Sequence, residues 1–185
     1  AWFLESRPVE TRIILIGVDD RALEEVGPWP WSREVMATIV DLIAKGKPKA
    51  IGLDFILSEA SPGSEALSEA IATAKVVVLP VAGKFDKRSS KTREGGLFGL
   101  NAKEMIVPQD MLAREASLGH INVFPDYADG VVRRIEPYLR FSEEIYPSFS
   151  QVLLQVGSGK VVDSLDGYTH RSEEHTSELQ SRHNL

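Results

Sequence analysis

The sequence predicts an α/β fold: a three-layer domain with a mainly parallel sheet, helices on both faces, and an added antiparallel hairpin at one edge. Three apolar segments of strand length, at 12–20, 49–57 and 76–81, alternate with segments of helical periodicity, an order that favours parallel strands joined by helical crossovers. Farther along, 118–123 and 131–141 also read as strands. The second of these mixes charged with apolar residues, which predicts a hairpin at the edge of the sheet.

The segment RIILIGVDD, at 12–20, is predicted to be the central strand. Its β-branched residues, Ile13 and Ile14 among them, favour a strand that is buried on both faces. The segment is too short to cross a membrane as a helix, which takes roughly twenty apolar residues. Asp19 and Asp20 follow at its carboxyl end, where open α/β sheets place their ligand sites. Both aspartates are therefore candidate site residues.

The next stretch combines a helical turn, a proline-rich loop and a longer helix. The turn at 21–26 is predicted to end at Gly27, because glycine favours a left-handed cap. Residues 29–31 must be extended, since a residue before proline is pushed out of the helical region. Ser32 is a good N-cap for a helix that runs to about Lys45.

The second strand, at 49–57, carries Asp54 near its carboxyl end. A helix with Ser64 as its N-cap leads from it to the third strand, which gives the order β-α-β-α-β for this half of the chain. The polar, glycine-rich segment at 84–99 is predicted to be a loop. A last helix is predicted at 146–156, where apolar residues recur at helical spacing.

The composition fits a single globular domain that binds no nucleic acid. The chain has 185 residues, 43% of them hydrophobic, which is enough for a sizeable core. Its net charge of −6 argues against a nucleic-acid binder, which would show a basic face. Without cysteine it has neither disulfides nor thiolate metal sites. The apolar start, Ala1-Trp2-Phe3-Leu4, fits either the end of an upstream membrane helix or a strand edge that packs on the core.

Four motifs in the same order carry a resemblance to a known family. They are GPWPWSRE at 27–34, KAIGLDFILSE at 49–59, GHINVFPDYADGVVRR at 119–134 and YPSFS at 146–150. Over about 12–156 the chain resembles the second type of CHASE domain, an extracellular sensory domain of bacterial receptors. The resemblance implies a domain that faces the periplasm or the exterior, held in the cell membrane by flanking helices absent from this chain. It also implies an adenylate or guanylate cyclase, histidine kinase or serine/threonine kinase as the cytoplasmic output.

The resemblance also suggests how the chain is divided. We expect a juxtamembrane lead-in at 1–11, the sensory domain at 12–157, a linker at 158–170 and a tail at 171–185. The tail, RSEEHTSELQSRHNL, resembles the translation of a sequencing adapter. That resemblance implies that the tail is artefactual. Because the tail is also polar and without periodicity, we expect it to be disordered.

The first candidate site consists of Asp19, Asp20 and Asp54, which follow neighbouring predicted strands. Three carboxylates at one edge suit a divalent cation such as Mg²⁺, which prefers oxygen ligands. The favoured alternative is that Asp19 or Asp20 caps the turn after its strand and that Asp54 hydrogen-bonds a loop backbone. On that interpretation the chain has no metal site and needs no cofactor.

Arg133 and Arg134 follow a tight Asp-Gly turn, and strand alternation sends them to opposite faces. One of them is expected to form a salt bridge with Asp20 or Asp54, because the guanidinium fork matches a carboxylate. The alternative is that both are solvated charges that protect a sheet edge from aggregation. The motif at 119–134 also contains Asn122 and Asp129, which are two further ligand-binding or switch candidates.

Trp29 and Trp31 are aromatic candidates for ligand stacking, but we favour a role in anchoring their loop. His120 is a lone histidine without a second ligand at metal-binding spacing, and we expect it to be structural. Nucleophile-elbow, phosphate-loop and zinc-protease motifs are all absent from the sequence. These residues give no sign of an enzyme.

The expected function is therefore non-catalytic ligand sensing in a bacterial membrane receptor, with an unknown small molecule or partner protein as the signal. A signal is expected to alter the packing of the last helix on the sheet, and a homodimer is a further expectation. The alternative function is a divalent-metal-dependent hydrolase that uses Asp19, Asp20 and Asp54. Neither the ligand nor the output domain follows from this sequence.

Overall fold

The computed structural model describes residues 12–85, 101–124, 129–132 and 135–159. By its internal contacts the chain divides into two units, Ala1–Trp31 and Ser32–Leu185. Helices occur in both units, and the strands that the structure describes lie in the second. The combination of helices with parallel and antiparallel strands confirms the α/β class.

The described part of the first unit is an irregular segment followed by a short helix, α1 (Asp20–Val26). Residues 13–19 form no strand, and their large aliphatic side chains are exposed, Leu15 to 93%. The predicted central strand at 12–20 is therefore wrong. Apolar composition indicates that a segment gains from burial, but a central place in a sheet requires hydrogen-bond partners along both edges. A later strand has those partners.

The second unit contains, in its described residues, four helices and six strands. Along the chain they are α2 (Arg33–Lys45), β1 (Ile51–Gly52), α3 (Ser64–Ala74), β2 (Val77–Lys84), β3 (Glu104–Ile106), α4 (Asp110–Ala113), β4 (Ser117–His120), β5 (Tyr138–Phe141), β6 (Glu144–Pro147) and α5 (Phe149–Ser158). The start of α2 is as predicted, because the Ser32 hydroxyl accepts a hydrogen bond from the Val35 N–H. Local capping signals thus determine where this helix begins.

β2 is the central strand of the main sheet. It pairs in parallel with both β1 and β4, so that Val78 lies opposite Gly52 on one edge and Ser117 on the other. Residues 82–84, at the far end of β2, pair antiparallel with β3. The connection β1–α3–β2 is the parallel crossover that the alternating sequence pattern predicts.

The antiparallel hairpin differs from the predicted one. β5 pairs with β6, whereas the segment predicted as its partner, 118–123, contains most of β4 and pairs in parallel with β2. The predicted last helix at 146–156 is also corrected, because α5 begins only at Phe149 and 144–147 form β6. Both differences arise because strand pairing depends on partners distant in sequence, which local periodicity does not specify.

Successive residues of the first sheet strand face different helices. Ile51 and Leu53 belong to the main hydrophobic cluster. Between them, a Cβ atom added to Gly52 would lie 3.1 Å from the side chains of Leu153 and Phe149 in α5, as the alternation of a strand requires. The buried cluster draws on α2, α3, α4 and the sheet, and includes Met36, Val40, Leu57, Leu67, Ile71, Leu79 and Leu112.

Candidate functional site

The two aspartates of the first unit belong to the start of α1. Asp19 is its N-cap, and its Oδ1 accepts a hydrogen bond of 2.9 Å from the Ala22 N–H. Asp20 is the first residue of the helix, where a negative charge is favourable next to the unpaired N–H groups. The capping alternative for Asp19 is therefore observed in the structure.

Trp29 and Trp31 pack against each other in the first unit. Their ring centroids lie 5.7 Å apart with planes tilted by 60°, an arrangement that aromatic pairs favour. The Trp31 indole N–H donates a hydrogen bond of 2.8 Å to the Gly27 carbonyl, so this ring secures the loop that follows α1. Trp29 is 41% exposed.

Asp54 and Asn122 lie at the carboxyl edge of the parallel part of the sheet. Asp54 follows β1 by two residues and is exposed, and Asn122 follows β4 by two residues. The Asn122 amide bridges back to β2: its Oδ1 accepts from the Gly83 N–H and its Nδ2 donates to the Gly83 carbonyl, each at 2.8 Å. Asn122 thus satisfies both backbone groups of one β2 residue and fixes the chain that leaves β4.

Replacing Asn122 by aspartate is expected to lower the free energy of unfolding by roughly 1–3 kcal/mol. The aspartate carboxylate can still accept a hydrogen bond from the Gly83 N–H. Its second oxygen, however, replaces the Nδ2 donor, so the hydrogen bond to the Gly83 carbonyl is lost and two oxygens face each other. Urea unfolding measures the loss. Asn101→Asp is a matched control at an exposed position, for which a change within about 0.5 kcal/mol is expected. Equal losses in both variants would contradict a specific role for the Asn122 amide.

The remaining polar candidates lie on or beside a turn that is partly described. Asp129 accepts a hydrogen bond of 3.1 Å from the Val131 N–H, and Gly130 has a positive φ of 73°, as a tight turn needs. Arg133 and Arg134 lie outside the described residues. Their expected salt bridge to Asp20 or Asp54 stays a prediction.

His120, the last residue of β4, is buried. Its side chain is 1% exposed, and neither Nδ1 nor Nε2 makes a hydrogen bond to the described residues. Burial lowers the pKa of His120, and the backbone carbonyls of Glu136 and Pro137 partly oppose this effect. Burial therefore favours the neutral form of this enclosed imidazole.

A cavity of about 520 Å³ lies beside the chain that continues from β1 toward α3. It is lined by Ser58, Val107, Pro108, Gln109, Asp110, Met111 and Arg114. The Gln109 N–H donates to the Leu57 carbonyl at 2.8 Å, and its side-chain Oε1 is buried without a partner in the described chain. Sequence reasoning missed this cavity, because no motif identifies a glutamine ahead of a four-residue helix.

Arg33 is a second polar residue that sequence reasoning missed. It is half-buried at the start of α2, its Nη1 lies 3.5 Å from the Met36 sulfur, and its Nε has no partner in the described chain. Burial lowers the pKa of its guanidinium, and the charge of Glu59 opposes this. In the sequence, only its position inside the GPWPWSRE motif could have identified Arg33 as a candidate site residue.

In the described parts of the chain, no group of three or more His, Cys, Asp or Glu side chains is arranged to hold a metal ion. Asp19 and Asp20 belong to the first unit and Asp54 to the second. Among these same residues, none of the helices has the length and apolar character needed to cross a membrane.

These features define an α/β domain in which Asp19 and Ser32 cap helices and Asn122 joins two strands. A model of the CHASE2 domain matches residues 1–180, so the chain belongs to the CHASE2 family. The resemblance to the second type of CHASE domain is confirmed. CHASE2 domains are extracellular sensory modules of signalling receptors and are not catalytic. No significant match was found among curated proteins or among solved structures.

Proposed function

We propose that this chain is the periplasmic or extracellular sensory domain of a bacterial transmembrane receptor. The observation that carries the proposal is the family match over residues 1–180. Flanking helices outside this chain would hold the domain at the membrane, and a cyclase or protein kinase would supply the cytoplasmic output. The signal is an unidentified small ligand or partner protein.

The carboxyl edge of the parallel sheet is the proposed place of ligand recognition. Asp54 is exposed there, and Asn122 fixes the chain that leaves β4. A second candidate place is the cavity lined by Arg114, a cation, and by apolar residues such as Val107 and Met111. Open α/β sheets commonly place ligand sites at this edge, and pockets combine apolar lining with a few polar groups.

α5 is the proposed output of the domain. It packs on the main sheet through Phe149 and Leu153, which approach two sheet glycines closely. Together with the cluster formed by α2 and α3, these contacts support a three-layer arrangement. A signal that alters the packing of α5 would change the direction in which the chain leaves the domain. Homodimerisation is a further proposal. In a homodimer, one signal could act on the α5 helices of both protomers.

The test is the side of the membrane on which the domain lies. Alkaline phosphatase, which is active only outside the cytoplasm, is fused after Ser158 in the full-length receptor gene. A β-galactosidase fusion at the same residue is the matched control, since that enzyme is active only inside. We expect phosphatase activity without galactosidase activity. The reverse pattern would place the domain in the cytoplasm and reject the proposal.

A further inference from the structure

We propose that His120 is a proton-binding site through which acidification loosens the packing of α5 on the sheet. The ring is almost fully enclosed, yet both nitrogens lack a hydrogen-bond partner in the described chain. A histidine used only as packing would usually have at least one nitrogen satisfied, because an unpartnered buried polar group is costly. The idea that the domain senses the proton concentration outside the cell rests on the proposed function. The coupling between protonation of His120 and the packing of α5 does not depend on it.

His120 occupies the junction between the sheet and α5. It lies opposite Val81 of β2 and forms an isolated β-bridge with Ser148, the N-cap of α5. The Ser148 N–H in turn donates to the Pro137 carbonyl at 2.8 Å, and the Ser148 carbonyl accepts from the Val152 N–H at 3.0 Å. Backbone contacts through Ser148 therefore link the end of β4 at His120 to the segment ahead of β5 and to the first turn of α5.

The segment ahead of β5, not α5, covers the His120 ring. Gly119 faces α5, since a Cβ atom added there would lie 2.6 Å from the Phe149 Cα, so strand alternation places the His120 ring on the opposite face, near the backbone of Glu136 and Pro137. We expect water to reach a protonated imidazole when the segment at 135–137 moves away, and this movement would release the Pro137 carbonyl that accepts from the Ser148 N–H at the start of α5. Since an isolated buried charge is strongly disfavoured, proton uptake and local opening should occur together.

Few ionisable groups on the neighbouring elements offset that charge. α5 has none in its sequence, and β2 contributes only Lys84, which pairs with Glu104 at 2.9 Å. In β6, burial and the hydrogen bond to Glu144 raise the pKa of Tyr146 to about 12, so its phenol stays neutral. The segment ahead of β5 carries Glu136, whose backbone carbonyl lies near the ring. β5 itself carries two ionisable residues, Tyr138 and Arg140.

The sign of the pH dependence follows from the lowered pKa. In the open state the ring has the ordinary histidine pKa of about 6.5, while burial lowers the pKa in the closed state. The open state therefore binds more protons as the pH falls below about 6.5. The closed state is fully favoured above that pH, and it is progressively lost as the pH approaches the lowered pKa.

The test follows His120 and the first turn of α5 together in the full 185-residue chain. An NMR titration from about pH 8 to about pH 5 reports the ring. Hydrogen exchange at the Val152 amide, corrected for its intrinsic pH dependence, reports the opening. We expect a titration midpoint below 6.5 for His120. Between the pKa values of the closed and open states, the equilibrium constant for opening at the Val152 amide should rise roughly tenfold for each unit by which the pH falls.

Two variants separate this site from the other histidines. His120→Gln, which stays neutral at all these pH values, should abolish the pH dependence of Val152 exchange, while His170→Gln should retain it. A His120 midpoint at or above 6.5, a ring that titrates without any change at Val152, or a dependence that persists in His120→Gln would overturn the proposal. The wild-type titration decides the case even if His120→Gln does not fold, and none of these readouts depends on the side of the membrane.

Discussion

Replacing Gly119 by alanine is expected to destabilise the domain by about 3 kcal/mol, the upper part of the range for overpacking in a tight interior. The added Cβ would lie 2.6 Å from the Phe149 Cα and 3.0 Å from the Phe149 N. These are backbone atoms, so no rotation of a side chain relieves the clash. α5 must shift as a whole or lose its contact with β4.

Urea unfolding of Gly119→Ala against wild type measures the effect. Gly157→Ala is the matched control, since Gly157 lies inside α5 and a Cβ there meets its nearest neighbour, the Ala50 Cβ, only at 3.7 Å. That variant should gain roughly 0.5–1 kcal/mol from helix propensity. If Gly119→Ala unfolds at the same urea concentration as wild type, the close approach of α5 to β4 is refuted.

Leu79→Ala is expected to cost about 2–5 kcal/mol, because it removes a fully buried side chain from the central strand. Leu79 is 0% exposed and belongs to the main hydrophobic cluster. The loss combines the transfer free energy of the deleted atoms with the cavity that they leave.

The control for this substitution has the same chemistry at an exposed position. Leu154 on α5 is 71% exposed, so Leu154→Ala should change the free energy of unfolding by less than about 0.5 kcal/mol. Thermal and urea unfolding of both variants provide the comparison. Equal losses at the two positions would mean that β2 does not lie at the centre of the core.

The helices were the most predictable elements, because their signals are local. Ser32 predicts the start of α2 through its own hydroxyl. Ser64 was predicted to be the N-cap of α3, but Gly63 is the N-cap and Ser64 is the first residue of the helix. Pairing between strands was less predictable. The segments at 12–20 and 118–123 both have strand composition, yet the first forms no strand and most of the second joins β2 in parallel.

The candidate site was predictable in its residues more than in its contacts. The N-cap role of Asp19 follows from a short polar side chain ahead of a helix. The motif identifies Asn122, but only the fold brings it to Gly83, which is distant in sequence. His120 was expected to be structural, and its burial without a hydrogen-bond partner in the described chain depends on segments distant in sequence. Such properties arise from tertiary packing.

The exposed segment at 13–18 has a consequence for the behaviour of the chain at high concentration. A run of aliphatic, largely β-branched residues without proline or charge is the kind of sequence that forms intermolecular β-structure. Arg12 precedes this run, and Asp19 and Asp20 follow it directly. Flanking charges of this kind act as gatekeepers that oppose the stacking of identical chains. The two aspartates at the start of α1 thus also protect the solubility of the segment before them.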